Sequence, residues 1–266
     1  MKTLIYDNEC PLCAVYTGAF VKTGLLEKEG RKNFNEVDKD LLSSIDAGRM
    51  HNEIPLIENE TGKVWYGIDA LLEILGARLP FIKKAGQLPP VNWLLKKLYK
   101  LVSYNRKVIV AVHDKGYDCS PDFNPSYRIL FLFTGLTFNS WLFTLFIPVF
   151  VSNIFLSASF YSLQVAHFSL VAVNICIAIV LGKKRGLEYL GQVNMLAIIT
   201  LLLLLPYLWL QPFFSMPTSS FYLGAIFYCI ATEYIRRMKY AGISGYKPVI
   251  FINIICLCAL LFYLGF

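Results

Sequence analysis

The second half of this chain is almost free of charge. Beyond residue 128 it carries 7 Lys or Arg and 2 Asp or Glu, against 18 and 16 in residues 1–128. A bilayer core requires about 20 apolar residues per helix, and five segments offer runs of that kind: 129–151, 160–181, 190–211, 218–235 and 249–266. Over the whole chain 16% of residues are charged, well below the roughly 25% of a soluble domain. A purely soluble protein is therefore excluded. The expected organisation is an α/β domain in residues 1–127 followed by an all-α transmembrane bundle of about five spans in residues 128–266.

The connections between the spans alternate in charge. Arg128 precedes the first span, residues 152–159 carry no charge, Lys183, Lys184 and Arg185 follow the second, residues 212–220 carry none, and Arg236, Arg237, Lys239 and Lys247 separate the last two. Cations collect on the cytoplasmic side of short loops, which predicts a multi-pass inner-membrane protein with its N-terminal domain in the cytoplasm and its C-terminus outside. The fourth span is the weakest by composition, because Glu233 lies near its end. The apolar stretch of residues 3–6 is too short for an export signal, in keeping with a cytoplasmic front domain. The net charge of +7 follows from this topology, so membrane lipid is expected as a partner and nucleic acid is not. Within the spans, Asn139, Gln164, His167, Asn174, Asn194 and Asn253 are expected to form helix-packing hydrogen bonds, and Glu233 to pair with Arg237 at i,i+4. Cys256 and Cys258 are two apart and point to different helix faces.

The front domain opens with a β-forming run, residues 2–6, followed by Cys10-Pro11-Leu12-Cys13 and a helical pattern to about residue 22. The motif therefore starts a helix. Pro11 suits the first turn, where its missing N–H costs nothing. Cys10 then faces the free N–H groups and the positive end of the dipole, which stabilise a thiolate. Cys13, three residues on, shares that face and can resolve a mixed disulfide. Cys10 is the expected nucleophile and Cys13 the resolving thiol. Zinc uses the same spacing, but structural zinc takes four ligands, and the other candidates, His51, His113 and Cys119, are isolated in sequence. No metal and no cofactor beyond the dithiol itself is expected.

Residues 32–37 read as a second strand, 39–50 as a helix, 54–58 and 63–66 as a hairpin around a Gly62 turn, and 68–75 as a helix stopped at Gly76. The order β-α-β-α-β-β-α is that of a thioredoxin-like domain, with the motif at the carboxyl end of the sheet where open α/β sheets bind ligands. The run Tyr6-Asp7-Asn8-Glu9-Cys10-Pro11-Leu12-Cys13, with Asn105-Arg106 and Asp118-Cys119 before a proline, resembles the DCC family of thiol-disulfide oxidoreductase-like proteins over roughly residues 2–127. Asn8 stands where the family usually has glycine, and asparagine also tolerates a left-handed turn.

That resemblance implies redox chemistry at Cys10 and Cys13, and it marks Asp7 as the signature acid, either a buried base for Cys13 or a polar cap for the helix. Cys119 matches a recurrent family position, as a third redox residue or with no catalytic role. Glu53-Ile54-Pro55-Leu56-Ile57 with Gly67-Ile68-Asp69 resembles the substrate-binding edge of glutaredoxins. By that likeness Ile54-Pro55 is a cis peptide facing Cys10 and the Ile54 backbone pairs with substrate. The alternative is a trans proline opening an edge strand.

Trp93, Leu94, Leu95, Leu98, Leu101 and Val102 form an apolar stripe with Lys96, Lys97 and Lys100 opposite. This predicts an amphipathic helix whose stripe covers the sheet and whose basic side rests on anionic headgroups. Together these features predict a membrane-anchored thiol-disulfide oxidoreductase acting on a protein or low-molecular-weight disulfide, with glutathione a candidate co-substrate. The alternative is a non-catalytic redox or metal-sensing module that regulates its membrane bundle.

Overall fold

A computed structural model describes residues 1–7, 10–37, 39–111, 121–151, 159–243 and 245–263, and His113 and Cys119 lie outside them. β1 (Lys2–Tyr6) leads to α1 (Pro11–Lys22) and β2 (Arg31–Asn33), then to α2 (Lys39–Ser43) and α3 (Ala47–Met50). β3 (Pro55–Glu58) and β4 (Val64–Tyr66) make the hairpin, and α4 (Ile68–Gly76), α5 (Pro80–Gly86) and α6 (Pro89–Val110) follow. The strands form one sheet in the order β2-β1-β3-β4, with β1 parallel to β2 and the other two pairings antiparallel.

Both faces of this sheet are covered, which is why β1 and β3 read as continuous apolar runs. Leu4 and Leu56 point to one side, where they pack with Leu26, Ala70 and Ile74 and with Tyr16 and Phe20 of α1. Ile5 and Ile57 point to the other, against Phe34, Val37 and Ile45. The second strand is shorter than expected: the Asn33 side chain accepts from the Asn35 N–H at 2.9 Å and turns the chain into a single 3₁₀ turn. The helix expected over 39–50 is two pieces, because Asp46 caps a new start by accepting from the Gly48 and Arg49 N–H groups.

Gly30 permits the close approach of this turn to β1. Its C=O accepts from the Leu4 N–H at 2.7 Å, and a Cβ at Gly30 would lie 2.4 Å from the Lys2 carbonyl oxygen. The variant Gly30→Ala is therefore expected to lose about 1–3 kcal/mol, read as a lower urea midpoint for the front domain.

The chain divides into two compact units, Met1–Arg128 and Ile129–Phe266. The second contains α7 (Pro125–Val151, its first residues in the front unit), α8 (Phe160–Leu181), α9 (Lys183–Leu210), α10 (Met216–Tyr240) and α11 (Lys247–Tyr263). The described residues of each of the five apolar segments are thus helical. Among the described residues three helices are long and apolar enough to cross a membrane: Pro125–Pro148 within α7, Phe160–Leu181 and Lys183–Leu210. α10 is long but carries Glu233, Arg236, Arg237 and Lys239, and α11 is apolar but only 17 residues. The basic triplet at 183–185 is the first turn of α9 and not a loop, since only Gly182, at φ 81°, separates it from α8.

The polar residues of this unit are largely paired with one another. Asn139 donates to Asn194 Oδ1 at 2.7 Å, and Ser140 Oγ lies 3.0 Å from His167 Nε2. Tyr189 bridges Asn174 and Asn253, and Asn253 donates to the Tyr234 hydroxyl at 2.9 Å. Glu233 accepts from Arg237 Nε at 2.7 Å, the expected i,i+4 pair, and also from Arg236. Arg237 is fully buried and donates to Gln192 Oε1 at 2.7 Å. A buried arginine survives at such a depth only with partners of this kind.

Candidate functional site

The motif starts α1 as its composition requires: Pro11 occupies the first position, and Cys10 is the N-cap. Cys10 Sγ accepts the Cys13 N–H at 3.4 Å, so the sulfur does the work a serine or aspartate oxygen does at other helix starts. Asp7 is not the cap. Its C=O accepts from the Cys10 N–H at 3.3 Å, and it lines one pocket with Cys13, Tyr16, Ile54, Pro55 and Arg106. That pocket measures about 20 Å³, room for little more than a water molecule. Cys10 and Cys13 are 5% and 6% exposed.

The two thiols are strongly unequal. Hydrogen bonding from Cys13 pulls the Cys10 pKa down to about 6, with burial opposing and the Cys13 N–H and the Arg106 charge assisting. Cys13 is pushed in the other direction, because its proton serves the Cys10 sulfur and because it is buried. Near neutral pH this describes one thiolate and one thiol sharing a proton, the distribution a nucleophile and resolver need.

Arg106 carried the family resemblance in the sequence, but its place in the site was not read there. It is 7% exposed on α6 and its guanidinium donates to the His51 carbonyl at 3.0 Å. Its charge acts on Cys13, Cys10, Asp7 and Tyr99. Ser103 donates to the Asn52 carbonyl, and the Tyr99 hydroxyl accepts the Ile54 N–H at 3.0 Å. Tyr99, Ser103 and Arg106 are thus one polar row, spaced by four and three residues, that holds residues 51–54 beside the motif. Such a row on a helix otherwise read as amphipathic was the available signal.

The Ile54–Pro55 bond is trans, as are all the described peptide bonds. Pro55 opens β3, which lies inside the sheet and not at its edge, and it tolerates that position because a strand's first residue can do without its N–H. The Ile54 N–H is bonded to Tyr99 and its C=O accepts from the Gly67 N–H at 2.9 Å. Substrate pairing at Ile54 therefore requires Tyr99 to withdraw. Gly67 sits at φ 58° and ψ −124°, a backbone that L side chains rarely adopt, with the Tyr99 ring 3.0 Å from where a Cβ would stand. Tyr99→Phe is expected to cost about 1 kcal/mol and to speed hydrogen exchange at the Ile54 amide, both measurable in the intact protein.

Among the described residues no three His, Cys, Asp or Glu side chains are grouped to hold a metal ion. Cys10 and Cys13 are free cysteines there, as are Cys176, Cys229, Cys256 and Cys258 in the second unit.

Residues 4–111 match the family model of the DCC1-like thiol-disulfide oxidoreductases. The match covers the sheet from Leu4 of β1 onward, the motif and all of α6, and it ends before Cys119. Neither the curated proteins nor the solved structures give a match to the chain.

Proposed function

We propose that this chain is a membrane-anchored thiol-disulfide oxidoreductase, with a thioredoxin-like front domain acting at the cytoplasmic face of the inner membrane. The observation that carries the reading is Cys10 Sγ at the N-cap of α1, hydrogen-bonded by Cys13, with the Arg106 charge favouring its thiolate. The strand order, with a β-α-β half followed by a β-β-α half, supports the thioredoxin-like assignment. The alternating basic and uncharged connections support five spans with the C-terminus outside.

In the proposed reaction the Cys10 thiolate attacks one sulfur of a disulfide, forming a mixed disulfide and releasing the other sulfur as a thiolate. Cys13 then loses its proton, with Asp7 as the candidate acceptor, and attacks Cys10 Sγ. The second substrate sulfur leaves, the substrate has gained two electrons, and Cys10 and Cys13 are joined as a disulfide. The substrate is a protein or small-molecule disulfide, and glutathione is the candidate co-substrate that returns the pair to its reduced form. Pro11 fixes the first turn, and Ile54 and Pro55 form the wall beside Cys13.

The burial of both sulfurs favours a second reading, a redox sensor in which oxidation of the pair alters the membrane bundle without turnover. The two readings part on rates. Alkylation of Cys10 in the full-length protein should rise with pH through a midpoint near 6, because only the thiolate reacts. Reduction of insulin disulfides should follow the same profile. An ordinary midpoint near 8.5 together with no turnover would contradict the enzyme, whereas a low midpoint without turnover would support the sensor.

A further inference from the structure

The polar row of α6 faces its own domain, which corrects the expectation that the apolar stripe covers the sheet. Trp93, Leu94, Leu98 and Val102 are instead 63%, 50%, 49% and 46% exposed. Leu94, Leu98 and Val102 follow one another at intervals of four and form a single outer row. Phe81 of α5 is also exposed, at 67%. The physical reason is that Tyr99, Ser103 and Arg106 hold residues 51–54, so Trp93, Leu94, Leu98 and Val102 turn outward while Leu95 and Leu101 of the same stripe stay half-buried.

We propose that this face of α6 docks on the surface of an anionic phospholipid bilayer, with the apolar row at the headgroup and acyl boundary and the flanking lysines at the phosphates. Three features of the chain select lipid as the occupant. Residues 74–113 contain no acid, and of the eight Lys or Arg from Arg78 to Lys107 only Arg106 is buried, which complements an anionic surface. Two copies of the face brought together would oppose like charges, which costs affinity. The exposed residues alternate with cations in the manner of interfacial helices, where Trp and Leu enter the boundary and Lys reaches outward. Lys97 already lies over the Trp93 ring, 5.9 Å from its centroid, while Lys96 and Lys100 also reach Asp69 and Glu53 at 2.9 and 3.8 Å. The proposal rests on the chain being a membrane protein and not on the thiol chemistry, so either can fail alone.

The test uses full-length protein in lipid nanodiscs, with Trp141→Phe and Trp209→Phe to remove the tryptophans of α7 and α9. A twin that also carries Trp93→Phe supplies the Trp65 background. With phosphatidylglycerol present, Trp93 emission should be blue-shifted and quenched about two-fold or more by lipids brominated near the headgroup, as expected for a ring 5–10 Å deep. Leaving the protein unchanged and omitting the anionic lipid should weaken that quenching. A Trp93 shielded from acrylamide yet untouched by brominated lipid would be covered by protein, and a Trp93 open to acrylamide would be covered by nothing. Either result overturns the proposal.

Discussion

Replacing Cys10 with serine is expected to lower disulfide reduction by about 10³-fold or more, because the proposed reaction makes its first sulfur–sulfur bond at Cys10. The two replacements of Cys13 should differ in an informative way. The leading cause of the low Cys10 pKa is hydrogen bonding from Cys13, and serine keeps a donor at that position whereas alanine removes it. Cys13→Ser should therefore retain rapid alkylation of Cys10 near neutral pH, while Cys13→Ala should move the midpoint upward from about 6. Both should fail to complete turnover. The comparison separates the resolving role of Cys13 from its electrostatic one, and alkylation across a pH series reads both.

Arg106→Gln is expected to raise the Cys10 midpoint by about one unit, at the low end of what a nearby cation does to an acid. The direction follows from the sign of the charge: Arg106 favours the thiolate, so its loss shifts thiolate formation to higher pH. At pH 6 the reaction should slow several-fold, and at pH 9, where Cys10 ionises in either protein, the difference should largely vanish. A purely structural role for Arg106 predicts a loss of similar size at every pH. Arg106→Lys, which keeps the charge but changes the donor geometry toward the His51 carbonyl, should recover part of the low-pH rate.

The dithiol was legible because its signals are local. A strand-forming run, a proline suited to a first helical turn and two cysteines on one face dictate the start of α1 with no help from the rest of the chain. The hairpin at Gly62 and the stop near Gly76 were legible for the same reason. The second strand was overextended because an asparagine hydrogen bond, not hydropathy, ends it at Asn33. Most of the α6 stripe faces outward and not onto the sheet, because periodicity locates an apolar face without saying what it meets. The inward face is set by three hydrogen bonds to residues 51–54, which are distant in sequence. The same distance hid Arg106 from the site, since nothing near residue 106 points to the cysteines 93 or more positions earlier. In the second unit the described residues of all five apolar segments form helices, yet among them α10 lacks the composition and α11 the length that would let either be assigned as a span on its own.

The central claim is that Cys10 exchanges disulfides with a substrate, and trapping tests it most directly. Full-length protein carrying Cys13→Ser would be produced in cells, acid-quenched, blocked with a thiol reagent and separated without reductant. The predicted result is a reproducible mixed disulfide on Cys10, with a specific protein or with glutathione, that reductant releases and that disappears when Cys10→Ser is added. Recovery of Cys10 only as a free thiol or bound to zinc would contradict it.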